Sequence, residues 1–503
     1  MLRPCLLCLV AGLALTGQDP LTGETRWNAE RWKLPSRGET MDLLGLQIHR
    51  TWRSGAYAGF GGWGSLRGER GGFITLGLSG GWRWPLSERL GLEAGGWFGG
   101  GGVGRASVGG GMMVRGHLGL DWDVKWAKLG AQWSKVRFPN GKIDSTQASL
   151  TASIPFHGIV GPANRAGTTL AGLSGETSTL GWRGLTFALG AQRYAPAASA
   201  RTLDGHADRT AVDLPGLETR LDMGGRGTFV FLDMSAAARG KADGYMDALL
   251  GAGWAWPQDG AVRLVAKAAG GPAGGGNLDM GGGMAWKGTL GLEAELGAGV
   301  FLAADGGYLV APGGSFKATV TRLQVGRRFD LVVTGGRKGL ATDLVDFSGW
   351  SIRGGAQRMR APQRRGTVAP EAIDLISLQV THDLAGPLFF VGQGNFGMTG
   401  QAGGFAVGVL GLGLRSPALL GGGPRLRVHL LAGAAGGGGV DTGGGLLLQP
   451  MAGLEQDLGG GWSLQVMAGR SRAPKGILNT AVMDAGLAWR FGLPVKGWKS
   501  RPT

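Results

Sequence analysis

The residue types that could do chemistry in this chain are few and scattered. Six histidines, His49, His117, His157, His206, His382 and His429, share no metal-ligand spacing and no common position. His49 and His382 come closest to a shared position, seven and eight residues after Asp42 and Asp374. No serine stands in a strand-to-helix elbow of the kind that arms a hydrolase nucleophile. Asp279 and Asp441 each precede a glycine triplet, where Ser107 stands in the first third of the chain. Calcium-binding repeats need several aspartates at short period, so a single aspartate here reads as the satisfier of a tight turn. The glycine runs lack the Lys-Ser/Thr ending of a phosphate loop. What remains is an acid that recurs after Gly-Leu, as Asp121, Glu293 and Glu455. Facing a barrel lumen, these acids would tune the passage of solutes; equally, they would serve as ordinary cross-strand ion pairs. No catalytic residue, cofactor or metal is expected.

These acids belong to a longer pattern. Arg31-Trp32, Arg193-Tyr194 and Arg358-Met359 each lead to a proline three or four residues on. Strand openers follow at Asp42, Asp213 and Asp374, which are 171 and 161 residues apart. Next come Trp82-Arg83-Trp84-Pro85, Trp254-Ala255-Trp256-Pro257 and the weaker Leu414-Arg415-Ser416-Pro417. Glycine triplets stand at 109–111, 281–283 and 443–445, then the Gly-Leu-acid motif, then turns beginning at Pro139, Pro312 and Pro474. Each third closes on a phenylalanine: Phe156, Phe329 or Phe491. Glycine richness alone can imitate the triplets but not the Asp, Pro and Phe offsets, so one unit of about 165 residues reads as written three times.

Glycine supplies 103 of 503 residues, yet no Gly-X-Y period supports collagen. Disorder is excluded by 43% hydrophobic residues, including 18 Trp and 17 Phe. Segments of about ten residues alternate large apolar with small or polar residues, and their connections are Gly, Pro and Asn turns. The third unit holds about eight such strands. The net charge of +16 is dispersed along the chain, which argues against a nucleic-acid partner. Arg3 and the apolar run from Leu6 to Leu15 read as an export signal over residues 1–18, and both cysteines, Cys5 and Cys8, fall inside it.

Strands near ten residues long, with one apolar and one small or polar face and with tryptophans at their ends, point to a membrane barrel. The expected fold is all-β: one antiparallel transmembrane β-barrel of about 22–26 strands over residues 19–503. Repeat 1 would cover about 28–185, repeat 2 about 186–350 and repeat 3 about 351–491, with a tail at 492–503.

The closing strand, Asp484-Ala485-Gly486-Leu487-Ala488-Trp489-Arg490-Phe491, resembles the C-terminal β-signal of Gram-negative outer-membrane proteins, with Gly486, Trp489 and Phe491 in the matching places. Here 12 residues follow the phenylalanine that usually ends that family's chains. The resemblance implies export to the cell outer membrane, reading by the barrel-assembly machinery, and contact with outer-membrane lipid and lipopolysaccharide. An export or surface-polymer system would be a further partner. The expected function is a passive pore or export conduit for solutes or polymers. The alternative is a secreted or surface structural or adhesive β-repeat protein, with an outer-membrane hydrolase behind both. Enzymatic activity is not expected.

Overall fold

The computed structural model describes residues 19–173, 180–225, 227–258, 260–366 and 369–496. The export signal at 1–18, with both cysteines, and the end of the tail at 497–503 lie outside the described residues.

The first eight strands are β1 (Asp19–Lys33), β2 (Thr40–Thr51), β3 (Ala56–Arg67), β4 (Ile74–Pro85), β5 (Leu90–Gly102), β6 (Met113–Asp123), β7 (Lys128–Arg137) and β8 (Asp144–Pro162). A short β9 (Thr169–Ala171) links them to β10 (Leu180–Pro196), β11 (Val212–Asp222), β12 (Thr228–Ala236), β13 (Met246–Trp256), β14 (Val262–Gly274), β15 (Met284–Gly297), β16 (Val300–Val310) and β17 (Lys317–Thr334). The last eight are β18 (Leu344–Met359), β19 (Ile373–Asp383), β20 (Leu388–Gly397), β21 (Ala406–Arg415), β22 (Arg425–Gly436), β23 (Leu446–Gly459), β24 (Trp462–Arg472) and β25 (Asn479–Lys496). Among the described residues no helix is long and apolar enough to cross a membrane.

Within β1–β8, β10–β17 and β18–β25 neighbours in sequence pair antiparallel, while β9 pairs with β18, but the decisive pairings are non-local. β1 pairs with β8, with Glu30 opposite Ser149 and Gly23 opposite Phe156. β10 pairs with β17 over its whole length. β18 pairs with β25 from Asp346 opposite Val495 to Met359 opposite Val482. Each set of eight is therefore a closed circuit. The expected single barrel of 22–26 strands is corrected to three eight-stranded barrels in one chain. Alternation of residue types tells which face a side chain occupies but not which strand lies alongside. An even strand count returns the chain to its starting end, where closure removes both free edges. The barrels run from β1 to β8, β10 to β17 and β18 to β25, so they begin and end at other residues than the repeat boundaries read from the landmarks.

All three barrels are inside out relative to a soluble protein. On β7, Leu129 and Trp133 point outward, with Trp133 63% exposed, while Gln132 and Ser134 are buried. Leu150, Leu323 and Leu430 are comparably exposed on the outer faces of β8, β17 and β22. Trp82, Trp84, Trp122, Trp126, Trp254 and Trp256 stand exposed at the end where each barrel starts and finishes, here called the base. The same end carries the shorter turns of the first barrel, such as 52–55 and 86–89.

At the opposite end the loops form a cap. The loop 68–73 of the first barrel meets 275–283 of the second, 237–245 of the second meets 437–445 of the third, and 398–405 of the third meets 103–112 of the first. The contacts are backbone on backbone. A Cβ on Gly72, Gly244 or Gly404 would stand 2.3 Å from Gly275 N, 2.7 Å from Gly437 N and 2.4 Å from Val103 N respectively. All three have φ between +85° and +88°. Only glycine meets both demands without strain. Gly71 N donates to Gly281 O (2.9 Å) and Gly403 N to Gly109 O (2.9 Å). In the remaining joint Asp243 takes that role, accepting from Thr442 Oγ1 (3.1 Å) and from Arg365. The glycine triplets read as hairpin turns are thus parts of a ring closing 1→2→3→1. Each contact joins two different surfaces, and the rotation closes. Below the cap, Leu76, Leu78 and Phe98 of the first barrel pack with Ile376, Phe396 and Met398 of the third. At the base the ends of β8, β17 and β25 meet pairwise, with Gly158 opposite Val333, Leu331 opposite Val495 and Gly492 opposite Gly161.

Candidate functional site

An eight-stranded barrel is just wide enough for its own side chains to fill, so the chemistry of this chain lies in three filled interiors. The cap ends are apolar. Trp32, Phe73 and Phe138 pack edge to face in the first barrel, at centroid separations of 5.6 and 6.2 Å. Tyr194, Tyr245 and Phe316 hold the same layer in the second. Met359, Phe405 and Leu447 hold it in the third. The residue after the arginine in each opening landmark, Trp32, Tyr194 or Met359, is fully buried in this plug.

Beneath the plug lie charges. In β1, Glu24, Arg26, Asn28 and Glu30 alternate onto the inner face. Arg26 donates to Glu93 Oε2 (2.8 Å) and Glu24 Oε1 (2.9 Å). Arg115 Nη2 donates to Glu30 Oε1 (2.6 Å), and Tyr57 Oη to Glu93 Oε1 (2.7 Å). In the second barrel Lys267 lies 3.1 Å from Glu218 and 3.2 Å from Asp305, and Arg322 lies 2.9 Å from Asp233. The third barrel substitutes amides for much of this charge. Gln379 Nε2 donates to Gln393 Oε1 (2.7 Å), Gln393 Nε2 to Asp484 Oδ2 (3.1 Å), and Arg353 pairs with Asp484. Most interior charges have an opposite charge within hydrogen-bond reach, as burial requires, while Asp247 instead accepts from Tyr194 Oη and Ser235 Oγ, both at 2.6 Å.

The acids singled out after Gly-Leu come to matching inner positions on β6, β15 and β23. Asp121 meets Arg83 Nε at 2.8 Å. Glu293 meets Arg263 at 2.7 Å, Arg328 at 3.1 Å, and Arg220. Glu455 meets Arg427 at 2.7 Å and accepts from Ser463 Oγ (2.9 Å). They sit in separate barrels and form no common site. Asp279 Oδ1 accepts from Gly281 N (3.2 Å) and Asp441 Oδ1 from Gly443 N (3.0 Å), each closing its own turn.

Gly486, Trp489 and Phe491 lie on β25, which continues to Lys496. Gly486 faces Gly355 and Gln465, and Trp489 stacks on Phe491 with centroids 4.5 Å apart. Phe491 is opposite Pro162 of the first barrel, and Arg50 of that barrel lies over Trp489. The last strand thus touches the first barrel.

Sequence reasoning missed one constellation. His49 Nε2 lies 2.9 Å from Ser79 Oγ, and His49 Nδ1 lies 3.2 Å from Glu24 Oε1. These are the contacts of a serine–histidine–acid set. Here, however, His49 is fully buried, Ser79 is 6% exposed, and Glu24 is also held by Arg26 and Arg83. No substrate reaches that oxygen inside a packed barrel. The available signal was the alternation Glu24, Arg26, Asn28, Glu30, which puts four polar residues on one face of a strand.

No protein-family model matches the chain, and no curated protein matches it. Among solved structures it is similar to the siderophore receptor PirA from Acinetobacter baumannii, at 9% identity and a TM-score of 0.28, covering 95% of this chain and 81% of that one. A mutant of the ferric enterobactin receptor PfeA from Pseudomonas aeruginosa, in complex with enterobactin, gives 11% and 0.29, covering 95% and 82%. OpdQ from Pseudomonas aeruginosa gives 8% and 0.21, covering 95% and 98%. At these scores the likenesses add nothing to what the strand pairing itself shows.

Proposed function

We propose that the chain is a non-enzymatic protein of the cell outer membrane, exported through a cleaved signal peptide. Three copies of one eight-stranded unit form a closed scaffold that carries the glycine cap at the outer face. The observation that supports the membrane is the inverted distribution of residue types: leucines and tryptophans outward, ion pairs inward, on closed barrels. Lipid-facing apolar bands, aromatic residues at their edge, shorter turns on the inner side and longer loops outside are the marks of such proteins. Outer-membrane lipid and lipopolysaccharide are the surroundings this surface fits. The barrel-assembly machinery is the partner proposed for the segment containing Gly486, Trp489 and Phe491.

The filled interiors favour a scaffold or adhesive surface over the pore or export conduit. A conduit suited one wide barrel; here an apolar plug and a paired charge layer cross each eight-stranded lumen. Asp121, Glu293 and Glu455 then act as internal ion pairs rather than as a selectivity lining. Two measurements test the proposal. The unheated protein should migrate differently from the boiled protein on gels and should require detergent for extraction. Single-channel recordings should show no conductance above the bare bilayer. Steady conductance would return the conduit, and extraction without detergent would remove the membrane.

A further inference from the structure

We infer that the outer face of the third barrel, just below the cap, is a binding slot for the phosphate of an anionic lipid headgroup. The inference rests on the membrane reading above. The slot spans β24, β25 and β18. Arg470 is opposite Ala481 and Arg472 opposite Asn479 across β24 and β25. On the other side of β25, Arg360 N donates to Ala481 O (3.0 Å), and Arg358 is opposite Met483. Neighbouring strands lie about 4.8 Å apart, so the arginine rows stand about 10 Å from each other across a strand that presents only Ala481 and Asn479. Long guanidinium side chains from both rows can converge on one phosphate across that gap. Arg358, Arg360, Arg470 and Arg472 are all exposed. Arg358 has Asp374 at 3.4 Å, and Arg470 donates to Asn479 Oδ1 (2.6 Å). Among the described residues Arg360, Arg470 and Arg472 have no acid within 4 Å. Toward the base the same surface turns apolar at once, with Met483 62% and Val466 46% exposed. A headgroup held by the arginines would lay its chains along that surface.

The other two barrels provide the contrast at the same place. In the first, Arg137 is opposite Asp144, and Asp144 also lies 3.4 Å from Lys135. Asp144 thus occupies the position of Asn479 and neutralises its surroundings. In the second, Tyr308 is opposite Thr319 and Val310 opposite Lys317. Among the described residues only the third barrel combines several uncompensated cations with a neutral floor at this place, and such clusters attract anionic lipid.

The full-length protein in neutral detergent, studied by native mass spectrometry with dimyristoylphosphatidic acid, tests the slot. Wild type should retain this lipid in preference to dimyristoylphosphatidylcholine. The R360Q/R470Q/R472Q variant should lose affinity by about a hundredfold, at about fivefold per basic group. The K33Q/K135Q/R137Q variant of the first barrel should bind as wild type does. If the triple variant fails to fold, as judged by heat-dependent migration, R472Q alone should show about a fivefold loss. Equal retention by all variants, or equal loss in both triples, overturns the slot. Displacement by inorganic phosphate at matching concentration assigns the arginines to a free anion and likewise overturns it. Binding of both lipids without preference overturns the slot while leaving the membrane reading intact. A chain that stays in solution without detergent and takes up neither lipid removes both.

Discussion

The cap and the barrel interiors are both buried and both crowded, yet they are built from opposite materials. In the cap, backbone meets backbone, and Gly72, Gly244 and Gly404 bring neighbouring barrels closer than any side chain would permit. In the interiors, the largest charged side chains of the molecule, among them Arg26, Arg115, Arg353 and Arg427, are almost fully buried and face carboxylates. The cap depends on what is missing from its residues, the interiors on what their residues carry. Substitutions should therefore behave oppositely in the two regions.

The largest effect is expected for Gly72→Val. Its Cβ would strike Gly275 N in a φ region that β-branched residues avoid, at a cost of about 3 kcal/mol or more. Limited proteolysis should then open the first barrel away from the second. Gly408→Ala, at a strand position with nothing within 4 Å, should leave the digestion pattern unchanged. In the interior, Arg115→Met leaves Glu30 buried without its cation and should cost about 3–5 kcal/mol. Adding Glu30→Gln should recover most of that, read as the temperature at which the folded gel band disappears. If the double variant is no better than the single one, the pair is not the unit of stability. Ser79→Ala removes one hydrogen bond to His49, with an expected loss of about 1 kcal/mol. Ester hydrolysis by wild type and variant should be equally absent; activity lost with Ser79 would reopen the enzymatic reading.

The smallest effect belongs to the rim of the cap. Arg105 bridges from the first barrel to Asp204 Oδ1 of the second at 2.8 Å, and its hydrogen bond holds the Asp204 carboxyl below the usual carboxylate range. A carboxyl with a lowered value in the folded state stabilises above its ordinary range and loses that contribution as pH falls through the lowered value. Acidification should slightly loosen this joint, and Arg105→Gln should remove the pH dependence. A joint whose proteolysis is equally pH-dependent without Arg105 would assign the effect elsewhere.

Much of the fold was readable before any coordinates. The third unit's segments, such as 388–398 and 446–458, fall on β20 and β23 almost to the residue, because alternation and turn chemistry are local signals. Closure was not readable. Nothing in Phe156 announces that it lies opposite Gly23, more than a hundred residues earlier, and only the last strand was read as an ending. The glycine triplets do lie in hairpin connections, between β5 and β6, β14 and β15, and β22 and β23, but their second use in the cap was not legible: a residue that permits a turn also permits contact with another backbone, and local sequence does not separate the two uses. Asp121, Glu293 and Glu455 stood out because they recur. Arg83 reaches Asp121 across the single intervening strand β5, whereas Arg220 on β11 meets Glu293 four strands away on β15, a proximity that the closed circuit creates.

The ring of joints has a consequence for how the three units can differ. Were the barrels separate identical subunits, every substitution would appear at all three places, and a loop would have to suit both its own kind and its partner. Carried on one chain, the order first, second, third is fixed by covalent linkage, as is the one-to-one-to-one composition. Each position around the axis then becomes an address of its own. Asp243 standing where its counterparts are glycines, and Asn479 where the first barrel has Asp144, are differences that a ring of identical copies could not hold apart.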